Sequence, residues 1–234
     1  MYPYYYAFDP TYILIIIGVV LTLLASAVVN TTFRKYSRVR SLSGMTGAQA
    51  AQKILNSAGI YDVSIQHISG NLTDHYDPRG KVLRLSDAVY DVTSVAAIGV
   101  AAHECGHAIQ HQNSYIPLRL RTAIFPIANF GSKIAWPLIV AGIILSMSQT
   151  LIYAGILLFS FAVLFQIVTL PVEFNASRRA VKILDESGIL YGDEVNITKK
   201  VLGAAALTYV AGAAAAILQL LRLLILFGGR DRDR

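Results

Sequence analysis

Between residues 134 and 172 the chain carries no charged side chain, and a second uncharged stretch runs from 10 to 33. An α-helix rises about 1.5 Å per residue, so about twenty apolar residues cross the roughly 30 Å hydrocarbon layer of a bilayer. The first stretch is too long for one crossing and just long enough for two. A third apolar run, 201–227, is broken only by Gln219 and Arg222. Composition agrees: charged residues are 15% and hydrophobic residues 55% of the chain. Soluble domains carry roughly 25% charged residues. The expected fold is therefore a mainly α integral membrane protein. About four membrane helices accompany a small α+β domain with a short antiparallel sheet. Disorder, collagen and coiled coil are excluded. The 20 Lys and Arg outnumber the 14 Asp and Glu, but they cluster beside apolar runs, as membrane-flanking anchors do. No nucleic-acid partner is expected.

Tyr2, Tyr4, Tyr5, Tyr6 and Tyr12 crowd one end of the first apolar stretch like an aromatic belt, and Arg34, Lys35, Arg38 and Arg40 follow the other. Positive residues favour the cytoplasm, so the N-terminus is placed outside and residue 34 onward inside. Met1 to Asp9 has no Lys or Arg, so no cleavable leader is expected. Cys105 is the lone cysteine, which forbids an intrachain disulfide. Residues 42–91 read as a soluble α+β piece. Thr46 and Gln49 form a capping box opening a helix over 47–58, which Gly59 ends. Strands are expected at 61–68, 72–76 and 81–85, with turns at 69–71 and 77–80. A helix follows over 93–112. The two spans within 134–172 should turn near 146–150. A start of the first near 124 puts Lys133 near the inner interface, and Pro171 should end the second. The run 201–227 either crosses the membrane or lies along it. If it crosses, the Arg-containing tail 229–234 is outside.

The chemistry lies in His103-Glu104-Cys105-Gly106-His107, an H-E-x-x-H motif on a predicted helix. A spacing of four puts both imidazoles on one face, one turn apart. Two such rings can share one zinc ion, while Glu104 reaches a water rather than the metal and can move its proton to the leaving amine. A catalytic site of this kind needs a third protein ligand. His111 continues the spacing, but His103 and His111 are about 12 Å apart along a helix, too far to share an ion. His111 is left as a supporting or surface group. Glu186 and Glu194 sit in a polar segment near turns. Spacing alone leaves Glu173 open between a ligand and an interfacial carboxylate paired with Arg178 or Arg179.

Three segments carry a resemblance: LTDHYDPRGKVLRLS at 72–86, SVAAIGVAAHECGHAIQ at 94–110 and PVEFNASRRA at 171–180. Together they resemble the bacterial YugP-type membrane zinc metallopeptidases over nearly the whole chain. The order of elements is also similar to that of the HtpX and CAAX-prenyl-protease group. The resemblance implies a zincin-like domain, one Zn²⁺, His103, His107 and Glu173 as ligands, and Glu104 as the base. The HtpX group continues Glu-x-x-x-Asp, with the Asp supporting a ligand. Here the fifth position is Ser177, so Asn175 stands as the candidate support. His75 on the strand before the motif could polarise a scissile carbonyl, and Tyr209 could stabilise an oxyanion, though a plain strand histidine and an interface tyrosine serve equally. Residues 72–76 could be an edge strand that pairs with an extended substrate. Cys105 points away from the ligand face and reads as packing.

The resulting organisation is an N-terminal span (1–33), a cytoplasmic zincin-like catalytic region (34–121) and a two-span hairpin (122–172). A cytoplasmic segment with the third ligand (173–200) and a C-terminal apolar helix with a charged tail (201–234) complete it. The expected function is zinc-dependent endopeptidase activity, by zinc-activated water, at the cytoplasmic face of the plasma membrane. Its partners are a peptide or protein substrate, membrane proteins included, and the lipid bilayer. The alternatives are an intramembrane (site-2 type) metalloprotease, in which the helix over 92–109 itself crosses the bilayer, and a non-enzymatic membrane scaffold. The first expects an Asp in a later apolar segment, which 134–172 lacks, and the second has no use for Glu104. A transporter expects ionisable groups near mid-span, whereas Lys133 and Arg222 are expected near helix ends.

Overall fold

A computed structural model describes residues 9–228. The aromatic belt at Tyr2, Tyr4, Tyr5 and Tyr6 and the tail 229–234 lie outside the described residues. The elements in chain order are α1 (Tyr12–Tyr36), α2 (Gly47–Ser57), β1 (Ser64–Ile68), β2 (His75–Asp77) and β3 (Val82–Ser86). They continue with α3 (Val95–Gln112), α4 (Ile116–Ile144), α5 (Gln149–Glu186) and α6 (Asp193–Phe227). The protein is mainly α, with a small α+β part. Among the described residues four helices, α1, α4, α5 and α6, are long and apolar enough to cross a membrane. The chain divides into two compact units, each built from several segments.

Among the described residues the first unit comprises 9–24, 121–168 and 209–228. Its helices are antiparallel neighbours. Gly18 of α1 lies against Ala215 of α6, and Asp9, just before α1, meets Arg222 further along α6, at 3.4 Å. The Arg222 guanidinium also lies 4.5 Å from the Tyr12 ring centroid. Gly142 of α4 meets Ile152 of α5, and Gly155 of α5 meets the Ala135 carbonyl. Small residues at these crossings let backbones approach, the usual device where lipid removes the hydrophobic drive between helices. The α4–α5 turn falls between Ile144 and Gln149, near its expected place. Tyr153 just beyond it bonds the carbonyl of Phe227, so this turn and the end of α6 share one end of the unit with Asp9. The helix over 201–227 thus runs antiparallel to α1 rather than as a detached segment.

Helices α4 and α5 both run longer than expected. Pro171 does not stop α5, which continues through it to Glu186. A proline forfeits one ladder bond and kinks a helix; within long helices of membrane proteins neighbouring groups re-satisfy the freed carbonyl. The same holds for Pro126 and Pro137 inside α4. Because α4 begins at Ile116, Lys133 lies well inside the helix on an exposed face rather than near an end. Its long alkyl stem allows the ammonium to snorkel from such a position.

The second unit comprises Ala25–Leu120 and Thr169–Thr208. The capping box forms as expected: Thr46 Oγ1 accepts from Gln49 N at 3.2 Å, and Gln49 Oε1 accepts from Thr46 N at 3.0 Å. Gly59 stops α2 with a left-handed φ of 70°. The sheet is mixed rather than antiparallel. Its order is β1-β3-β2, with β1 parallel and β2 antiparallel to β3. Burial explains the order. β3 (VLRLS) is buried along nearly its whole length and takes the centre, while β1 and β2, which have no buried residue, take the edges. The strands are also shorter or shifted against their expected bounds, β2 most of all. Asp74, just before β2, accepts from Ser86 N at 2.7 Å and Ser86 Oγ at 2.9 Å, fixing β2's entry to β3.

Helix α3 is capped by Ser94, whose Oγ accepts from Ala97 N at 3.1 Å. It is buried against α2, β3 and the segment 180–202, with Ala101, Ala102, Cys105 and Ala108 in that core. Cys105 is fully buried, its Sγ 3.7 Å from the Ala51 carbonyl, and burial pushes its thiol well above the usual range. Glu194 is also buried, contrary to its reading as a residue of a polar segment. Its carboxylate accepts from Leu42 N at 2.7 Å and Tyr191 N at 3.0 Å, tying the loop after α1 to the start of α6. Glu186 is exposed beside Lys182.

Candidate metal centre

The residues of the motif stand in the second half of α3, where the helix face not covered by the core turns toward α5. The approach of the two helices is set by Gly106. A Cβ built there would fall 2.7 Å from the Ala176 carbonyl oxygen and 3.1 Å from its Cα. Only a glycine permits this crossing. One turn before Ala176 on α5 is Glu173, 2% exposed, and the crossing carries its carboxylate to the two histidines. Glu173 Oε2 is 3.2 Å from His103 Nε2 and 3.4 Å from His107 Nε2. The two imidazoles stand edge to face, centroids 4.8 Å apart. One donor atom from each of the three lies within 4.8 Å of the others.

The outer nitrogens of both rings are taken up by the protein. His103 Nδ1 is 3.1 Å from Ser177 Oγ, and His107 Nδ1 is 3.1 Å from Gln110 Oε1. Gln110 is fully buried, and its amide donates to the Val172 carbonyl at 2.8 Å and to Asn175 Oδ1 at 3.0 Å. Both donor hydrogens being used, Gln110 turns its oxygen toward His107, which therefore carries its proton on Nδ1. Arg179 Nε donates to the same Asn175 oxygen at 2.7 Å. Both Nε2 atoms are left facing Glu173. The residues fit a zinc ion on this ground. Nitrogen, nitrogen and carboxylate oxygen are a zinc donor set, and donors about 2.0–2.1 Å from a tetrahedral centre stand about 3.3–3.4 Å apart. Burial disfavours a charged His107, but the Glu173 hydrogen bond and the nearby Glu104 charge outweigh it and raise the ring's pKa above its ordinary value.

Glu104 is buried beside this group, its Oε2 accepting from Tyr76 N in β2 at 3.0 Å. Asn175 touches Gln110, so its support reaches His107 through that amide and not directly. His111 does not join the cluster; its Nδ1 is 3.0 Å from the Tyr76 hydroxyl, whose own pKa is raised by burial and by Asp62 and Asp77. His75 is exposed and engaged with the Thr73 carbonyl and Arg84. Tyr209 belongs to the other unit. Sequence reasoning missed three residues here: Gly106, Gln110 and Ser177. Ser177 had a signal, since it stands where related chains carry a supporting Asp. Gln110, three residues after His107, lies on the adjoining face of α3.

With this geometry in view, the comparisons define the class. The family described as "Putative neutral zinc metallopeptidase" matches residues 11–228, and the chain belongs to it. Among curated relatives, "Putative membrane protease YugP" of Bacillus subtilis (strain 168) is 52% identical over 206 residues, covering 88% of this chain and 91% of that one. No solved structure matches.

Proposed function

We propose that the protein is a membrane-bound zinc-dependent endopeptidase working at the cytoplasmic face of the plasma membrane. The observation that carries this reading is the gathering of His103, His107 and Glu173, with both outer ring nitrogens engaged and Glu104 alongside. His103, His107 and Glu173 would hold one zinc ion, which supplies Lewis acidity toward a peptide carbonyl. Glu104 accepts the proton of the attacking water as its oxygen bonds the carbonyl carbon, and delivers it to the departing amine nitrogen as the C–N bond breaks. The Tyr76 N–H holds the Glu104 carboxylate ready for that transfer.

Orientation is supported by charge. Arg34, Lys35, Arg38 and Arg40 follow the apolar part of α1, and Arg178, Arg179 and Lys182 follow that of α5, which favours the cytoplasm for both. The intramembrane alternative draws less support. Helix α3 is not among the candidate spans of the described residues, and its apolar face is packed on α2 and β3. A scaffold has no need of the Glu104 carboxylate next to a metal. The test is Glu104→Gln in the purified protein. Casein hydrolysis should vanish while zinc stoichiometry stays near that of the wild type; substantial hydrolysis by the zinc-loaded variant overturns the mechanism.

A further inference from the structure

A cleft of about 500 Å³ opens beside Tyr76, within the same unit, where the α2–β1 loop, the start of β3 and the last turn of α3 meet. This volume is in the range of small-ligand sites. Its floor is apolar: Ile60, Val63 and Ala108 are all nearly buried. The rings of Tyr61 and Tyr76 are among its walls, and Tyr61 is 79% exposed, a large ring held out in water. The charges at its rim are spent on each other, since Lys81 is paired with Asp62. His111, also at the rim, is engaged by the Tyr76 hydroxyl.

Tyr76 connects this cleft to the metal centre. Its backbone N–H holds Glu104, and its side chain lines the cleft. Its pairing partner in the sheet is Leu83 of β3, yet its N–H is given to Glu104, so it points to the outer edge of β2, where Glu104 meets it. His111 lies one helical turn beyond His107. A chain passing Glu104 along this edge therefore meets the cleft within a residue or two.

We propose that this cleft seats an apolar side chain of the peptide substrate at one fixed position close to the scissile bond. The proposal rests on the endopeptidase reading and gives that enzyme a sequence preference. The occupant's chemistry follows from the walls. Leu, Ile or Phe displaces water from Ile60, Val63, Ala108 and the tyrosine rings. A charged side chain is desolvated without gaining a free counter-ion, because Asp62 and Lys81 already satisfy one another.

The test is the cleavage-site profile of the zinc-loaded, detergent-purified protein on a peptide mixture, read by mass spectrometry, with two surface variants. Tyr61→Ala removes a wall and Gln112→Trp fills the mouth; both positions are exposed, so zinc content and thermal midpoint should match the wild type. The wild type should show Leu, Ile and Phe enriched at one position near the cut. In both variants the preference for those residues over Gly there should fall by about tenfold, the usual worth of a lost apolar contact. Cleavage without such enrichment, or enrichment unchanged in both variants, overturns the cleft and leaves the endopeptidase standing. No cleavage by the zinc-loaded wild type overturns both.

Discussion

Substituting Gly106 by alanine adds a single methyl group at the crossing that brings Glu173 to the histidines. That methyl would stand 2.7 Å from the Ala176 carbonyl oxygen, a backbone atom that no rotamer change can move. Restoring an ordinary contact of about 3.4 Å requires α3 and α5 to part locally by about 0.7 Å. Glu173 rides on α5 one turn away, while zinc–ligand distances tolerate about 0.2 Å. The metal should feel the shift more than the fold does. Overpacking of this size costs about 1–3 kcal/mol of stability, whereas a displaced ligand set should weaken zinc by about ten- to a hundredfold, the range seen when a ligand's support is lost. The assay is zinc retained against a series of chelator concentrations, together with the thermal midpoint of the metal-free protein. Gly203→Ala is the matched control, because a Cβ there meets nothing within 4 Å and should be neutral or stabilise α6 slightly. A Gly106→Ala protein that holds zinc at the same chelator concentration as the wild type refutes the argument that this crossing sets the site.

Gln110→Leu should weaken zinc about tenfold or more, by freeing His107 Nδ1 and removing the amide's bonds to the Val172 carbonyl and Asn175; chelator competition reads this. Glu194→Ala should lower stability by about 1–3 kcal/mol, since two backbone N–H groups lose their acceptor, and should leave zinc content unchanged, measured by denaturation and metal analysis in parallel. Cys105, buried with its thiol pKa pushed up, should resist iodoacetamide in the folded protein. An Asn56→Cys variant therefore carries one reactive thiol, and a membrane-impermeant reagent should not label it in intact cells if residue 56 faces the cytoplasm.

What was legible in the sequence was what local physics decides. Uncharged stretches mark helices whatever their neighbours, Thr46 and Gln49 satisfy each other's backbone within one turn, and the spacing of His103 and His107 fixes their common face. Features that depend on distant partners were not legible. Nothing local tells β1 to lie on the far side of β3, because strand order is set by which strand is buried on both faces. Pro171 reads as a stop, yet α5 runs through it. Glu194 looks solvated in a polar segment, and its burial depends on the N–H of Leu42, far away in sequence. Around the candidate centre, spacing left Glu173 open and family likeness pointed to it. The fold brings its carboxylate within 3.4 Å of both rings. Gln110 and Ser177 were missed because an amide or a hydroxyl has no spacing rule of its own. Each acts only through the ring it touches.

The central claim is that one zinc ion is held by His103, His107 and Glu173, joining α3 to α5. Metal content of Glu173→Ala and His111→Ala, purified side by side and analysed with the wild type, tests it most directly. Removing a ligand should take away both the ion and the folding free energy that its binding adds. Glu173→Ala should therefore lose most of its zinc and melt lower than the wild type, while His111→Ala, which loses only a bond to the Tyr76 hydroxyl, should keep its zinc. Full zinc in Glu173→Ala, or loss of zinc from His111→Ala with Glu173→Ala intact, would contradict the account.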